Sequence, residues 1–232
     1  MNDLQPLIDN NARWADATVA RDPEFFKRLQ RQQAPEYLWI GCSDSRVPAN
    51  EIVGMAPGEL FVHRNVANVV PHSDVNCQSV IQFAVDALKI KHIMVVGHYG
   101  CAGVQMALEG RRSQGVADYW LGHIRDVASR YKPLLEAEPD ARHRASLLVE
   151  LNVLEQAINV SHSAVVQDAW ARGQQLSVHG WVYSLGDGRV RQLGLSAEGP
   201  EAVKGLREMA LERILEARSR HRATAQTARS GA

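Results

Sequence analysis

The sequence predicts an α/β fold: a mainly parallel β-sheet with an antiparallel strand at its C-terminal end, flanked by helices, with an N-terminal helical arm. Three observations carry this expectation. Tyr37–Ile40 and Ile93–Val96 are short apolar runs of the kind that forms strands covered on both faces. Stretches of helical periodicity separate the strand runs, as a parallel sheet requires of its crossovers. Finally, Leu176–Tyr183 and Val190–Leu193 are strand runs separated by Asp187-Gly188, a hairpin turn signal that makes the last pair antiparallel. With 232 residues and 45% hydrophobic composition, the chain can bury one full core. The boundaries expected are a helical arm over 1–34, an α/β domain over 35–218 and a disordered tail over 219–232.

In chain order, Leu4, Leu7, Ile8 and Trp14 share a helical face, and a second helical segment begins at Pro23 with Phe25, Phe26 and Leu29. Both precede the first core strand, so their apolar faces are expected to pack on a neighbouring subunit. Pro35 ends the helix before the Tyr37–Ile40 strand. Leu60–Asn65, after the Pro57-Gly58 turn, reads as the second strand. A helix is expected over Asp74–Ile90 with Ser73 as N-cap, leading to the third strand at Ile93–Val96. Covering helices follow at Asp118–Tyr131 and from about Arg144 to Arg172, then the hairpin, then a last helix over Glu201–Arg218.

Lys+Arg and Asp+Glu both number 26, so no global field draws in nucleic acid or an anionic membrane, and the expected ligand is small. No apolar run approaches the ~20 residues of a membrane span, and the first residues lack the basic and apolar regions of a signal peptide; a cytoplasmic protein is expected. Three cysteines in a chain of this length argue against a disulfide framework. That leaves metal binding or nucleophilic chemistry, with Cys77 as the spare.

Chemistry gathers at two strand ends. After the first strand come Gly41-Cys42-Ser43-Asp44-Ser45-Arg46; in extended backbone Cys42, Asp44 and Arg46 project to one side, because side chains alternate with period two. After the third strand come Gly97-His98-Tyr99-Gly100-Cys101, where His98-x-x-Cys101 is half of a zinc site. Ligands in open α/β sheets collect at carboxyl ends of strands, so the two clusters are expected to meet. Cys42, His98 and Cys101 would then leave a fourth position open, as a catalytic zinc does. The blander reading is a buried Cys ending a strand and an Asp-Arg pair decorating a loop. The glycines do not form G-x-G-x-x-G, which discounts a dinucleotide site.

Gly41-Cys42-Ser43-Asp44-Ser45-Arg46-Val47-Pro48, Phe61–Asn68, Gly97–Gly103 and His179-Gly180-Trp181 resemble, in order, the signatures of the β-class carbonic anhydrases, in their bacterial branch. The resemblance implies one Zn²⁺ per subunit on Cys42, His98 and Cys101, reversible hydration of carbon dioxide by a zinc-bound hydroxide, and a homodimer or a pair of dimers. It implies Asp44 as proton acceptor clamped by Arg46. It also implies a substrate pocket of Gln33, Phe61, Val66 and Phe83. This chain departs from the pattern in having Phe83 where related plant enzymes carry Tyr, and Ala102 where Gly usually follows the second Cys.

Trp39, Val47, Arg64 and Tyr183 are ordinary packing residues singly. They match positions that form a second bicarbonate pocket in a regulated bacterial subset of the family. The resemblance thus implies a switch in which Asp44 leaves Arg46 at low pH to become the fourth zinc ligand, favoured by bicarbonate at Arg64. Two alternatives stay open at this stage: a carbon disulfide or carbonyl sulfide hydrolase on the same fold, and a non-catalytic zinc or redox-sensing protein.

Overall fold

A computed structural model describes residues 3–31, 33–110 and 115–230, with backbone alone for 221–230. Five strands form one sheet in the order β2-β1-β3-β4-β5: β1 (Tyr37–Cys42), β2 (Leu60–Asn65), β3 (His92–His98), β4 (Ser177–Tyr183) and β5 (Val190–Ala197). The first four run parallel and β5 runs antiparallel to β4, as expected from the apolar runs and the Asp187-Gly188 turn. Gly188 has φ 69°, the left-handed conformation that glycine adopts without a Cβ penalty.

The register brings the chemistry to one edge of the layer. Gly41 pairs with Val96, so Cys42 and His98 leave adjacent strands at the same end. Side chains alternate: Leu38, Ile40, Ile93 and Val95 enter the main core, while Trp39, Met94 and Val96 enter a smaller cluster on the other face.

Helices α1 (Gln5–Arg21) and α2 (Phe25–Arg31) precede the sheet, and α3 (Ala49–Val53) follows β1. The expected helix before β3 is shorter than the sequence suggests. It is α4 (Val75–Gln82), continued by a wider π-type turn over Phe83–Ala87. Its N-cap is Asp74, whose carboxylate accepts from the Asn76 N–H, and not Ser73. Beyond β3 come α5 (Ala102–Leu108), α6 (Val116–Arg130) and α7 (Lys132–Glu136). The expected Arg144–Arg172 helix is two, α8 (Ala141–His162) and α9 (Ala164–Ala171). They part at Ser163, where ψ turns to 142° and the hydroxyl bonds back to the Val160 carbonyl. After β5, α10 (Pro200–Val203) precedes α11 (Leu206–Ser230). That helix runs past the Arg218 boundary suggested by polar composition, since the Ala, Arg and Gln of residues 219–230 are strong helix formers. Among the described residues no helix is long and apolar enough to cross a membrane.

Helix α8 is the core of the helical layer. Leu148, Leu151, Val153, Leu154, Ala157 and Val160 are fully buried on it, and so nearly are Glu150, Asn152, Glu155 and Gln156. Buried carboxylates need partners. Glu150 accepts from the Tyr99 hydroxyl at 2.6 Å and from Arg218 at 3.1 Å. Glu155 accepts from the Tyr131 hydroxyl at 2.6 Å, from Arg207 at 2.8 Å and from Arg130. These bonds lash α11 to α8.

Burial pushes the Glu155 carboxyl up, but the bonds from Arg207 and Tyr131 outweigh it and leave the group below its ordinary range. A folded-state pKa below the unfolded one means the unfolded chain binds more protons, so this contribution is present above about pH 4.3 and is lost as pH falls further. Glu155→Gln is therefore expected to lower stability at pH 7 by about 2 kcal/mol and to flatten the acid limb of the stability profile. Urea unfolding at stepped pH measures both.

Candidate metal centre

Cys42 ends β1, His98 ends β3, and Cys101 lies across a tight turn before α5. Gly100 in that turn has φ 73°, a left-handed conformation that glycine adopts without a Cβ penalty. Ala102 opens α5 in helical backbone, which suits alanine better than glycine and explains the tolerated departure at that position. The turn folds Cys101 back onto Cys42, Sγ to Sγ at 3.9 Å. Cys42, His98 and Cys101 are all buried, and their ligand atoms lie within 4.8 Å of one another.

The donor set fits a metal. His98 Nδ1 faces the Tyr99 carbonyl at 3.2 Å, an arrangement that places the ring proton on Nδ1 and leaves the lone pair on Nε2. His98 Nε2 is buried and has no hydrogen-bond partner. An orphaned ring nitrogen beside two thiols is costly unless a cation takes its lone pair. The remaining Cys101 S–H bond, with help from His98 and the Asp44 and Ala67 N–H groups, draws the first proton off Cys42 against the opposing effect of burial. The same contact with Cys42 holds the Cys101 proton far more tightly, together with burial. A divalent ion removes that conflict by neutralising both thiolates.

Asp44 and Arg46 stand over this group. Arg46 donates three bonds to the Asp44 carboxylate: backbone N to Oδ1 at 2.9 Å, Nε to Oδ1 at 2.9 Å and Nη2 to Oδ2 at 2.7 Å. Asp44 Oδ2 also lies 3.7 Å from His98 Nε2. The Arg46 guanidinium holds the carboxyl well below the usual range, against a small opposing effect of burial. The sequence-predicted trio of Cys42, Asp44 and Arg46 thus converges with His98 and Cys101.

Residues 66–68 form the wall beside Cys42. Ala67 and Asn68 have φ of 63° and 48°, a left-handed conformation unfavourable for residues with a Cβ. The kink aims the Ala67 N–H at Cys42 Sγ, 3.3 Å away. Helix α8 holds it there: Asn152 Nδ2 donates to the Ala67 carbonyl at 2.9 Å, and Gln156 accepts from the Val70 N–H at 2.8 Å while donating to Asn152. Trp120 Nε1 donates to the Val66 carbonyl at 2.8 Å. The sequence reading missed these supports. Their signal was a polar stripe, Asn152, Gln156 and Asn159, at i, i+4 and i+7 in an apolar helix.

The other expected pocket residues divide. Phe61 and Phe83 are neighbours, ring centroids 5.9 Å apart, and Val66 packs close to Gly103, just beyond Cys101. Phe83 and Val66 are about half exposed, at 49% and 46%. Gln33 is exposed in the connection before β1, at the opposite end of that strand from Cys42. Trp39, Val47 and Tyr183 share the smaller cluster, and Trp39 Nε1 is buried without a partner. Gly41 accommodates that indole, since a Cβ there would lie 2.2 Å from Trp39 Nε1. Arg64 Nε donates to the Cys42 carbonyl at 2.8 Å and its Nη2 to the Asp44 carbonyl.

A family model described as Carbonic anhydrase matches residues 37–190. The chain belongs to the β-carbonic anhydrase family. A carbonic anhydrase of Emericella nidulans is 48% identical over 193 residues, covering 83% of this chain and 84% of that one. One from Pseudomonas aeruginosa is 35% identical, covering 82% and 87%. The solved β-carbonic anhydrase of Coccomyxa superposes with a TM-score of 0.82 at 42% identity, covering 88% and 96%. A tetrameric β-carbonic anhydrase of Sordaria macrospora gives 0.81 at 39%, covering 85% and 100%. These relatives are fungal, algal and bacterial, so the likeness establishes the family and not its bacterial branch. This carbonic anhydrase is a lyase of the family that hydrates carbon dioxide, and the relatives do not favour the carbon disulfide alternative.

Removing Asn152 takes the donor from the buried Ala67 carbonyl and the acceptor from Gln156 Nε2. Asn152→Ala is expected to cost about 2 kcal/mol in urea unfolding. An unchanged midpoint would show that the left-handed turn holds itself.

Proposed function

We propose that the chain hydrates carbon dioxide with one Zn²⁺ held by Cys42, His98 and Cys101, Asp44 serving as proton acceptor and Arg46 as its clamp. The convergence of an orphaned His98 Nε2, two buried thiols and a clamped carboxylate carries this reading. Zinc bound there supplies the Lewis acidity that makes a water nucleophilic near neutral pH. Asp44, held ionised by Arg46, presents an oxygen acceptor on the open side of the cluster and orients the attacking water through its hydrogen bond. The half-exposed Arg46 side of the pair gives the proton a route to solvent. The Ala67 N–H on Cys42 Sγ disperses thiolate charge and keeps the sulfur in place.

Phe61, Val66 and Phe83 offer the apolar wall that a small nonpolar gas needs. Gln33 would come from a second subunit, because β1 is roughly 17 Å long and separates it from Cys42 of its own chain. Two further features support a homodimer. Leu7 and Ile8 of α1, with Leu4 at its N-cap, are more than half exposed, so residues 1–34 act as an arm for a neighbour. Strand β2 is an open sheet edge bearing Val62 at 36% exposure.

A regulatory reading rests on Arg64. Its guanidinium bonds the carbonyls of Cys42 and Asp44, so an anion drawn to Arg64 loosens the loop that presents Asp44. Trp39, Val47 and Tyr183 would complete a bicarbonate pocket beside it, with the unpartnered Trp39 Nε1 as a donor. Freed from Arg46, Asp44 turns toward His98 and blocks the open position.

Asp44→Asn is expected to reduce kcat about 100-fold with zinc content unchanged, whereas Cys42→Ser loses the ion of this centre. Full activity in Asp44→Asn would remove its catalytic role. For the regulatory reading, activity is expected to fall toward acid pH, more steeply with bicarbonate, and Arg64→Ala should abolish the bicarbonate effect. A profile that stays flat into acid and ignores bicarbonate overturns it.

A further inference from the structure

The cysteine outside the metal centre belongs to a second convergence of donors. Cys77 lies in the first turn of α4, Asp74 is the N-cap of that helix, and His63 lies within β2. Cys77 is fully buried, His63 is 6% exposed, and Asp74 is half-buried. One ligand atom from each lies within 4.8 Å of the other two.

Among the described residues no hydrogen bond joins any two of the three. Asp74 Oδ1 accepts from the Asn76 N–H at 3.1 Å, and His63 Nε2 meets Asn65 Nδ2 at 3.2 Å. A merely structural trio would be expected to close on itself, thiol to imidazole or imidazole to carboxylate. The Asn65 amide is fixed by its reciprocal bonds with Val69, so its NH₂ group donates to His63 Nε2 and the ring proton sits on Nδ1; a cation bound by this ring takes the lone pair that the amide now occupies. Burial favours the neutral ring, the form that binds metals.

We propose that His63, Asp74 and Cys77 form a second metal site, distinct from the Cys42 centre, that takes a zinc-class divalent cation and pins the start of α4 to β2. Thiolate, imidazole and carboxylate are all zinc ligands, and three of them leave a position for water. The half-buried carboxylate is the side of the cluster nearest solvent and offers the ion its way in. Burial pushes the Cys77 thiol up to about 12, so the sulfur keeps its proton until a cation displaces it. Each ion bound then releases one proton, and occupancy rises with pH. Helix α4 runs directly into Phe83, so an ion here braces that end of the apolar wall.

The full chain is dialysed against micromolar Zn²⁺ at pH 8 and its metal content measured. About two ions per chain are expected in the wild type and about one in Cys77→Ala. His63→Gln, which retains the thiol, should also fall to about one. Cys42→Ser should keep about one, held by the second site alone, so failure of the catalytic centre and failure of this site are read separately. With ¹¹³Cd²⁺, two resonances are expected, the one-thiolate site upfield of the two-thiolate site, and only the upfield signal should vanish in Cys77→Ala. One ion in the wild type with none in Cys42→Ser overturns the proposal, as does an unchanged ion count in Cys77→Ala.

Discussion

The left-handed turn at Ala67 and Asn68 is the constraint on which the metal centre depends. Two successive residues with side chains are held in a conformation that each would leave if free, at a cost on the order of 1–2 kcal/mol apiece. The gain is direction: the kink aims a backbone N–H at Cys42 Sγ and sets Val66 against the turn that carries Cys101. Asn65 bridges the turn locally through its reciprocal bonds with Val69, and Asn152 and Gln156 on α8, more than eighty residues along the chain, grip it from outside.

That dependence explains why α8 is polar where a core helix is ordinarily apolar. Its buried side chains have two tasks. Asn152, Gln156 and Asn159 grip the 66–70 segment, while Glu150 and Glu155 take hydroxyl and guanidinium partners from Tyr99, Tyr131, Arg207 and Arg218. Tyr99 follows His98 directly, and its carbonyl fixes the His98 ring. Glu150 therefore steadies the candidate ligand His98 from behind, through Tyr99, while Glu155 ties α8 to Tyr131 and α11. Rigid support of this kind is what keeps three ligands within reach of one ion before it arrives.

Electrostatics at the centre is a balance among Cys42, Cys101, Asp44 and Arg46. The two thiols cannot both ionise cheaply side by side, and Arg46 is committed to Asp44 through three donors. A cation held there would settle the thiols, while the three bonds from Arg46 keep the Asp44 carboxylate oriented. Arg64, bonded to two carbonyls of the same loop, adds a second cation whose partners are backbone, so anything that recruits it acts on the loop and not on the ligands directly.

Much of this was legible in the sequence. Apolar runs marked the strands, and the Asp187-Gly188 turn in the short 184–189 connection marked the antiparallel pair, because so short a link joins neighbouring strands only as a hairpin. Gly41–Arg46 and Gly97–Cys101 marked the buried group of Cys42, His98 and Cys101 that could hold a metal, since thiol, imidazole and carboxylate at strand ends have few bland uses in combination. The break at Ser163, the Asp74 cap and the onward run of α11 were less legible, because helix ends are set by one or two hydrogen bonds that neighbouring side chains contest. The grip of Asn152 on Ala67 and the gathering of His63 with Asp74 and Cys77 belong to tertiary structure alone. Periodicity speaks for residues a few places apart, whereas those contacts join a helix to a loop or an edge strand across the fold, where packing decides which polar atoms meet.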